Sequence, residues 1–505
     1  MGLLSTVAGL AVAELVVGLV RGASSPVLPV GQEVIDVVPP AVKDWAIDWF
    51  GTADKAVLIV GTLLSLAVIG SLVGTLMIRG AASAAYAVTA LVGVIGVLAV
   101  LARPAPSFGR VLPPVVGTVV SIAVLWALSP ARQNRTASME DGTASIEDRR
   151  SFLRTGGVVA MSAAGAAVVG RVLQRRFEIG DERADLELPV VVEPEGDSPV
   201  GTDFGLEEVE TWVVPNTDFY RIDTALSVPQ VPKDSWSLRI HGMVRSELEL
   251  TFADLLERPQ VERYVTLSCV SNEVGGGLVG NALWQGVLLR PLLEEVGVLD
   301  GATQMVSRSV DGWNCGSPTS VIMDGRDAML AIAMNGEPLP AEHGYPVRLV
   351  VPGLYGYVSA TKWVSEIELT RWEDFDGYWV PRGWAKEAPI KTMARIDRPR
   401  RGREYAPSVD GVVDIAGLAW AVHRGISRVE ISIDDGPWLE CELAGVPSDD
   451  TWRQWRYRWN DASPGEHVVR ARAFDGEGMV QPETPRAPAP DGAQGYHRVA
   501  FDVVV

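Results

Sequence analysis

The chain has 505 residues, 47% of them hydrophobic, and a formal net charge of −19 at pH 7. That length exceeds one ordinary domain and suffices for a membrane part with two soluble domains. The charge is uneven: residues 1–130 balance six basic against six acidic residues, 131–178 hold eight against five, and 179–505 hold 30 against 52. An acidic soluble part argues against nucleic acid as a partner, because phosphate contacts need lysine- and arginine-rich surfaces.

Residues 2–20 are apolar except for Glu14, and further apolar runs lie at about 55–78, 82–102 and 111–129. Each approaches the roughly 20 residues that cross a bilayer, which predicts a four-helix transmembrane region over 1–130. Arg79 follows the second run, and Arg132 and Arg135 follow the fourth. Positive charge marks the cytoplasmic side, so both ends of this region are expected inside. The loop 21–54, with Trp45, Trp49 and Phe50, is expected on the outer side.

Residues 131–148 read as a polar linker. Arg149-Arg150-Ser151-Phe152-Leu153-Arg154 then precedes the apolar stretch Gly156–Leu173. This is the order of a twin-arginine export signal; ordinary flanking charge on a fifth membrane helix is the plainer alternative. Either way the unit 131–173 carries the following residues across the cytoplasmic membrane, to its extracytoplasmic side. Residues 174–205 are acidic and contain proline, and read as a tether. From 206 to 375, strand-like runs such as Trp236–Ile240, Tyr264–Leu267 and Val347–Val351 alternate with helical runs such as Phe252–Glu257 and Leu288–Val296, which predicts an α+β domain. Over 398–505, short strands such as Val412–Ile415, Val429–Ile433, Trp455–Trp459, Val468–Phe474 and Val499–Val505 are joined by turns such as Asp434-Asp435-Gly436, the pattern of a β-sandwich.

The chemistry centres on Thr266-Leu267-Ser268-Cys269-Val270-Ser271-Asn272-Glu273-Val274-Gly275-Gly276-Gly277. An apolar strand delivers a cysteine to the head of a polar, glycine-rich loop. A thiolate there suits a soft metal, and the neighbouring donors suit anionic ligands. Alone, such a cysteine is more often a small core residue. The other two cysteines, Cys315 and Cys441, read as packing residues. No cysteine pair has CxxC spacing, and all five histidines lie at or beyond His241. No iron–sulfur cluster and no haem is therefore expected.

Other segments stand in order around Cys269. Upstream are Asn216-Thr217-Asp218-Phe219-Tyr220-Arg221 and Trp236-Ser237-Leu238-Arg239-Ile240-His241-Gly242. Downstream are Trp284-Gln285-Gly286, Asp311-Gly312-Trp313, His343-Gly344-Tyr345-Pro346-Val347-Arg348 and Ser359-Ala360-Thr361-Lys362-Trp363. This ordered set resembles the molybdopterin-binding domain of the sulfite oxidase family over about 205–375. Residues 398–505, with Ile426–Ser432 and the tryptophan-rich Trp452–Trp459, resemble that family's immunoglobulin-like dimerisation domain. The resemblance implies a multi-domain protein: a helical transmembrane region, a sulfite-oxidase-type α+β domain and a C-terminal immunoglobulin-like sandwich.

It further implies a molybdenum–molybdopterin cofactor, with Cys269 as metal ligand and catalytic residue. Implied cofactor-binding positions are Asn216, Phe219, Tyr220, Ser271, Asn272, Ser309, His343, Arg348, Ser359, Thr361 and Lys362. A phosphate-bearing cofactor does need arginine, lysine, hydroxyls and glycine-exposed amides, and the export route, which carries folded proteins, suits a cofactor inserted beforehand. His241 and His423 are assigned to structure. Two departures bear on substrate. The arginines expected after the ligand cysteine are replaced by Glu273 and Val274, and a carboxylate there should repel a dianion. A substrate-pocket tyrosine is replaced near Trp313. The expected reaction is two-electron oxygen-atom transfer on a small oxyanion, S-oxide or N-oxide. Since no His-Pro-Gly-Gly haem segment occurs, electrons are expected to pass through a separate carrier or a quinone-linked membrane partner. A homodimer through 398–505 is a further implication. The rival reading is a non-enzymatic extracytoplasmic binding or scaffold protein built from the same folds.

Overall fold

The computed structural model describes residues 1–39, 53–103, 108–129, 144–196, 199–408, 410–460 and 462–504, with positions 42, 45, 49 and 50; side chains at 36, 54 and 144–152 are excepted. Its contacts form two units, residues 1–178 with 225–230, and residues 179–224 with 231–505.

In the first unit the apolar runs are helices: α1 Gly2–Leu19, α2 Val27–Val37, α3 Asp54–Ile78, α4 Ala82–Leu101, α5 Phe108–Ala127 and α6 Ala144–Arg175. Five of them, all except α2, are long and apolar enough to cross a membrane. Part of the stretch expected as a loop at 21–54 is thus helical. Of the linker expected over 131–148, positions up to 143 lie outside the described residues, and the arginine pair Arg149-Arg150 falls in α6 with undescribed side chains.

The helix α1 packs against α3, α5 and α6, and its buried residues are small: Gly2, Ser5, Ala8, Gly9, Ala11, Ala13 and Gly18 among them. A Cβ on Gly9 would lie 1.9 Å from Ser121 Oγ, and one on Gly18 would lie 2.6 Å from the Gly170 carbonyl oxygen. Backbones approach this closely only where side chains are absent, the usual device where lipid removes the hydrophobic drive between helices. Ser121 Oγ donates to Ser5 O at 3.1 Å, and Gln174 Nε2 donates to Glu14 Oε2 at 3.0 Å. Gly156 neighbours Leu4 and Gly170 neighbours Glu14, so α1 and α6 run parallel.

The second unit contains two mixed sheets followed by a two-sheet sandwich. The first sheet orders its strands Val191–Glu193, Gln260–Ser268, Val279–Leu288, Met329–Met334 and Arg348–Val350, with Glu337–Pro338 paired beside Met329–Met334. The second orders Leu248–Thr251, Ser237–Gly242, Val364–Thr370, Gln304–Ser309 and Asn314–Pro318. A capping box between Thr251 and Asp254 starts the helix Phe252–Leu256, and Gly297, at φ +68°, stops the helix Leu289–Val296, as left-handed caps do.

Beyond it, a four-stranded sheet (Met393–Arg398, Val412–Trp420, Arg453–Asn460, Glu442–Leu443) faces a five-stranded one (Glu404–Tyr405, His497–Val503, Gly465–Asp475, Ile426–Ile433, Leu439–Glu440). Ile396, Ile415, Val429, Ile431, Trp455, Ala471 and Phe501, drawn from both sheets, share one buried core. Two boundaries move relative to the sequence reading. Val191–Glu193 pairs in parallel with Gln260–Ser268 inside the stretch expected as a tether, and Met393–Arg398 begins the sandwich before 398. The sandwich also bonds to the first sheet and the segment before it: Thr266 N donates to Asp450 O at 2.9 Å, and the indole N–H groups of Trp212 and Trp452 each donate to the other's carbonyl, at 3.2 and 2.8 Å.

Candidate active site

Strand Gln260–Ser268 is buried along its second half and ends directly at Cys269. Its ladder continues one step, with Cys269 N donating to Leu278 O at 2.9 Å. The chain then turns: Asn272 N donates to Cys269 O at 3.0 Å, and Leu278 N donates to Asn272 Oδ1 at 2.8 Å. Gly275 sits at φ +80°, where a Cβ would lie 2.2 Å from His497 Nε2, so both conformation and space require glycine. Arg395 Nη1, from the sandwich, donates to Gly276 O at 3.3 Å.

Cys269 is 8% exposed. Burial pushes its thiol up, while the Ser271 amide and hydroxyl pull the other way. Such donors stabilise a thiolate, the form a metal binds. The thiol opens on a cleft of about 140 Å³. Among the described residues no group of three or more His, Cys, Asp or Glu side chains is placed to hold a metal. Cys269 thus stands without a protein ligand cluster of that kind among the described residues, a setting that suits a metal carried by an organic cofactor.

The same cleft reaches Arg348, Lys362 and His343. Arg348 is 5% exposed. Its Nη1 donates to His343 O at 3.1 Å, its guanidinium lies 4.8 Å from the Trp284 ring centroid, and its Nε has no hydrogen-bond partner among the described residues. Burial brings its pKa down to about 10. Lys362 Nζ donates to Asp223 Oδ2 at 2.8 Å and to Glu342 O at 3.0 Å; burial outweighs that carboxylate and lowers the amine to about 8. Burial first, then the Arg348 and Lys362 charges, drive His343 down to about 3, so it is neutral at pH 7 and places Nε2 3.3 Å from Asn216 O. A buried, incompletely bonded guanidinium is costly unless an anion meets it. Phosphate fits that requirement, and a phosphate-bearing pterin with sulfur donors fits both ends of the cleft.

Of the residues singled out from sequence, Phe219, Tyr220, Cys269, Ser271, Ser309, His343, Arg348 and Lys362 line this cleft together. Four others stand behind it. Asn216 Nδ2 donates to Met334 O at 3.1 Å; Asn272 closes the cysteine turn; Ser359 Oγ donates to Tyr355 O at 3.0 Å; and Thr361 Oγ1 shares a network with Ser307 Oγ (2.6 Å) and Cys315 Sγ (3.3 Å). Their polar atoms are spent on the fold. Glu273 is exposed and absent from the cleft lining, so the repulsion expected from it has no seat there. Trp313 does line the cleft, and a tyrosine, Tyr357, lines it too. His241 pairs with Glu366 and His423 with Asp450, both at 2.9 Å. Sequence reading passed over Asp223, Tyr357, Trp379 and Trp384; the density of aromatics over 372–384 was the available signal.

Residues 225–379 match the family model described as "Oxidoreductase molybdopterin binding domain". Mitochondrial sulfite oxidase of Rattus norvegicus is 30% identical over 324 residues, covering 54% of this chain and 58% of that protein. The chain thus spans a little over half the length of the first curated relatives it matches. The protein named "Uncharacterized oxidoreductase YuiH" of Bacillus subtilis is 34% identical over 149 residues, 30% of this chain and 72% of that protein. Among solved structures, the sulfane dehydrogenase SoxCD of Paracoccus pantotrophus is 26% identical, covers 59% of this chain and 85% of that chain, and superposes with a TM-score of 0.48. The chain belongs to the sulfite oxidase family of molybdopterin-dependent oxidoreductases.

Proposed function

We propose that the protein is a membrane-anchored molybdenum-cofactor oxidoreductase that moves an oxygen atom to or from a small molecule outside the cytoplasmic membrane. The observation that carries this reading is the buried Arg348 guanidinium, short of one partner, in the same cleft as Cys269. Cys269 would hold molybdenum, and Arg348 with Lys362 would hold the anionic tail of the pterin. When bound, the cofactor supplies a two-electron redox centre with exchangeable oxygen. Overall, substrate and water give oxygenated product, two protons and two electrons, or the reverse, and the electrons pass through a separate carrier or a quinone-linked membrane partner.

The chain's own residues do the rest. Ser271 donors stabilise the Cys269 thiolate. Phe219 stacks on Tyr220 at 5.2 Å and meets His343 edge-on at 5.6 Å, a rigid wall that fixes the cofactor's orientation. Burial keeps the Tyr220 hydroxyl protonated, so it can donate but not serve as a base.

Anchoring rests on the five apolar helices. Since α1 and α6 run parallel, residues after 175 leave the bundle at the end opposite Met1. Arg79 turns at the Met1 end, where the twin-arginine-like pair also enters, while at the opposite end Arg103 is balanced by Glu33 at 2.5 Å. We read the Met1 end as cytoplasmic. The C-terminal sandwich is read as immunoglobulin-like and as a dimerisation surface. Molybdenum and pterin assays on the purified full chain test the enzyme reading: about one of each per chain supports it, and neither, from a cofactor-competent host, overturns it. Accessibility of a cysteine engineered at Ser427 to an impermeant maleimide on intact cells tests the side.

A further inference from the structure

The cleft also holds a group of aromatic side chains to which the proposed function gives no role. Among the described residues two cations line the cleft: Arg348, which donates to His343 O, and Lys362, which donates to the neighbouring Glu342 O. Two carboxylates also line it, Asp223 and Asp311. Once Arg348 and Lys362 are committed to a phosphate, no other cation is left among the described residues that line the cleft. What remains is an aromatic wall. The Tyr357 and Trp384 ring centroids are 5.8 Å apart, and those of Trp384 and Trp379 are 6.3 Å apart. Trp313 lines the same cleft. Tyr357 is held in place by donating to Ala385 O at 2.6 Å. Asp311 accepts the Trp313 amide at 3.1 Å and forms no ion pair among the described residues. Stacking surfaces recognise apolar and cationic groups, and an uncompensated carboxylate disfavours anions.

We infer that this wall is the specificity element for the proposed reaction, and that it selects a substrate uncharged or cationic at its oxygen-bearing sulfur or nitrogen, with an apolar group stacked on Trp384, over an inorganic oxyanion. The inference rests on the oxidoreductase reading and sharpens it. Its chemistry class is an organic S-oxide or N-oxide, or the corresponding thioether or amine.

The test uses the holoprotein in detergent, with molybdenum and pterin measured on the same sample. Equilibrium binding is followed by intrinsic tryptophan fluorescence, with methyl p-tolyl sulfoxide and sulfite as probes. Saturable quenching by the sulfoxide is expected, with at least about ten-fold weaker response to sulfite. Trp384→Ala should weaken sulfoxide binding about ten-fold, the worth of one good stacking contact, while Trp384→Phe should keep it within about three-fold. Asp311→Asn, which leaves the wall intact, should strengthen sulfite binding several-fold and leave the sulfoxide unchanged. Equal or tighter binding of sulfite, absence of sulfoxide binding, or indifference to both Trp384→Ala and Asp311→Asn would overturn the inference while leaving the cofactor reading standing. A sample without molybdenum and pterin would instead remove the reading on which it rests.

Discussion

Replacing Arg348 by methionine separates a residue built for the fold from one built for a ligand. Burial lowers the pKa of Arg348 to about 10, which is on the order of 3 kcal/mol against its charged form. At pH 7 the group is charged, so the cofactor-free fold carries that cost. Against it stand one bond to His343 O and the face of Trp284, together worth about 1–3 kcal/mol. The terms nearly cancel. In cofactor-free protein, Arg348→Met should therefore shift stability by no more than about 2 kcal/mol in either direction, a few degrees in melting temperature. With cofactor, the loss of a buried charge pair of about 2–5 kcal/mol should cut affinity by about 30-fold or more. The assay is a pair of melting curves, with and without cofactor, beside molybdenum and pterin content per chain. A variant that keeps full cofactor content, or whose cofactor-free form loses more than about 4 kcal/mol, would refute the reasoning.

Other expectations follow from the same contacts. Lys362, lowered to about 8, loses its charge as pH rises through that value, so cofactor release should quicken between pH 7 and 9 in wild type but not in Lys362→Arg; equal pH dependence in both would count against phosphate contact. His467 Nδ1 and Nε2 each face an acceptor at 2.7 Å, Asp434 Oδ2 and Ser463 O. Burial opposes its charge, but these acceptors prevail and raise its pKa. The stability it adds is thus complete below the ordinary histidine value near 6.5 and is lost as pH rises through the higher folded value. Melting of the sandwich should weaken from pH 6 to 8, and Asp434→Asn should flatten that slope. In the helical unit, Gly170→Leu places a Cβ within 2.8 Å of the Glu14 backbone; it should lower detergent melting of the bundle while leaving the metal content of the catalytic unit unchanged.

How far the sequence showed all this depends on the kind of signal. The long apolar helices were legible because continuous apolar runs of bilayer length stand out in a sequence, and α3 and α4 fall within a residue of the expected spans. The strand before Cys269 was legible because Tyr264, Val265 and Leu267 give its second half an apolar, β-favouring run. The three-residue strand Val191–Glu193 was not, since it is too short for periodicity and lies in acidic surroundings. Met393–Arg398 carries the ion pair of Arg395 with Asp397, so its charged residues hid a strand that the sandwich core requires. In the site, residue types indicated which groups bind anions, but not which polar atoms the fold itself consumes: Thr361 and Ser359 are occupied by neighbours from Gln304–Ser309 and Leu354–Tyr355 that no local pattern reveals. Glu273 misled for a related reason. A turn sets side-chain direction through its own hydrogen bonds, and the Asn272 bond to Leu278 leaves Glu273 in solvent. Trp379 and Trp384 flank a single 3₁₀ turn, Val380–Arg382, where neither helical nor strand periodicity points toward a cleft.

The most direct measurement of the central claim is X-ray absorption at the molybdenum edge on full-length wild type and Cys269→Ala, matched for molybdenum and pterin content. Wild type should show one more sulfur ligand than the variant, with the remaining sulfur shell unchanged. Identical sulfur shells would contradict Cys269 as the metal's protein ligand and remove the basis for placing the chemistry in this cleft.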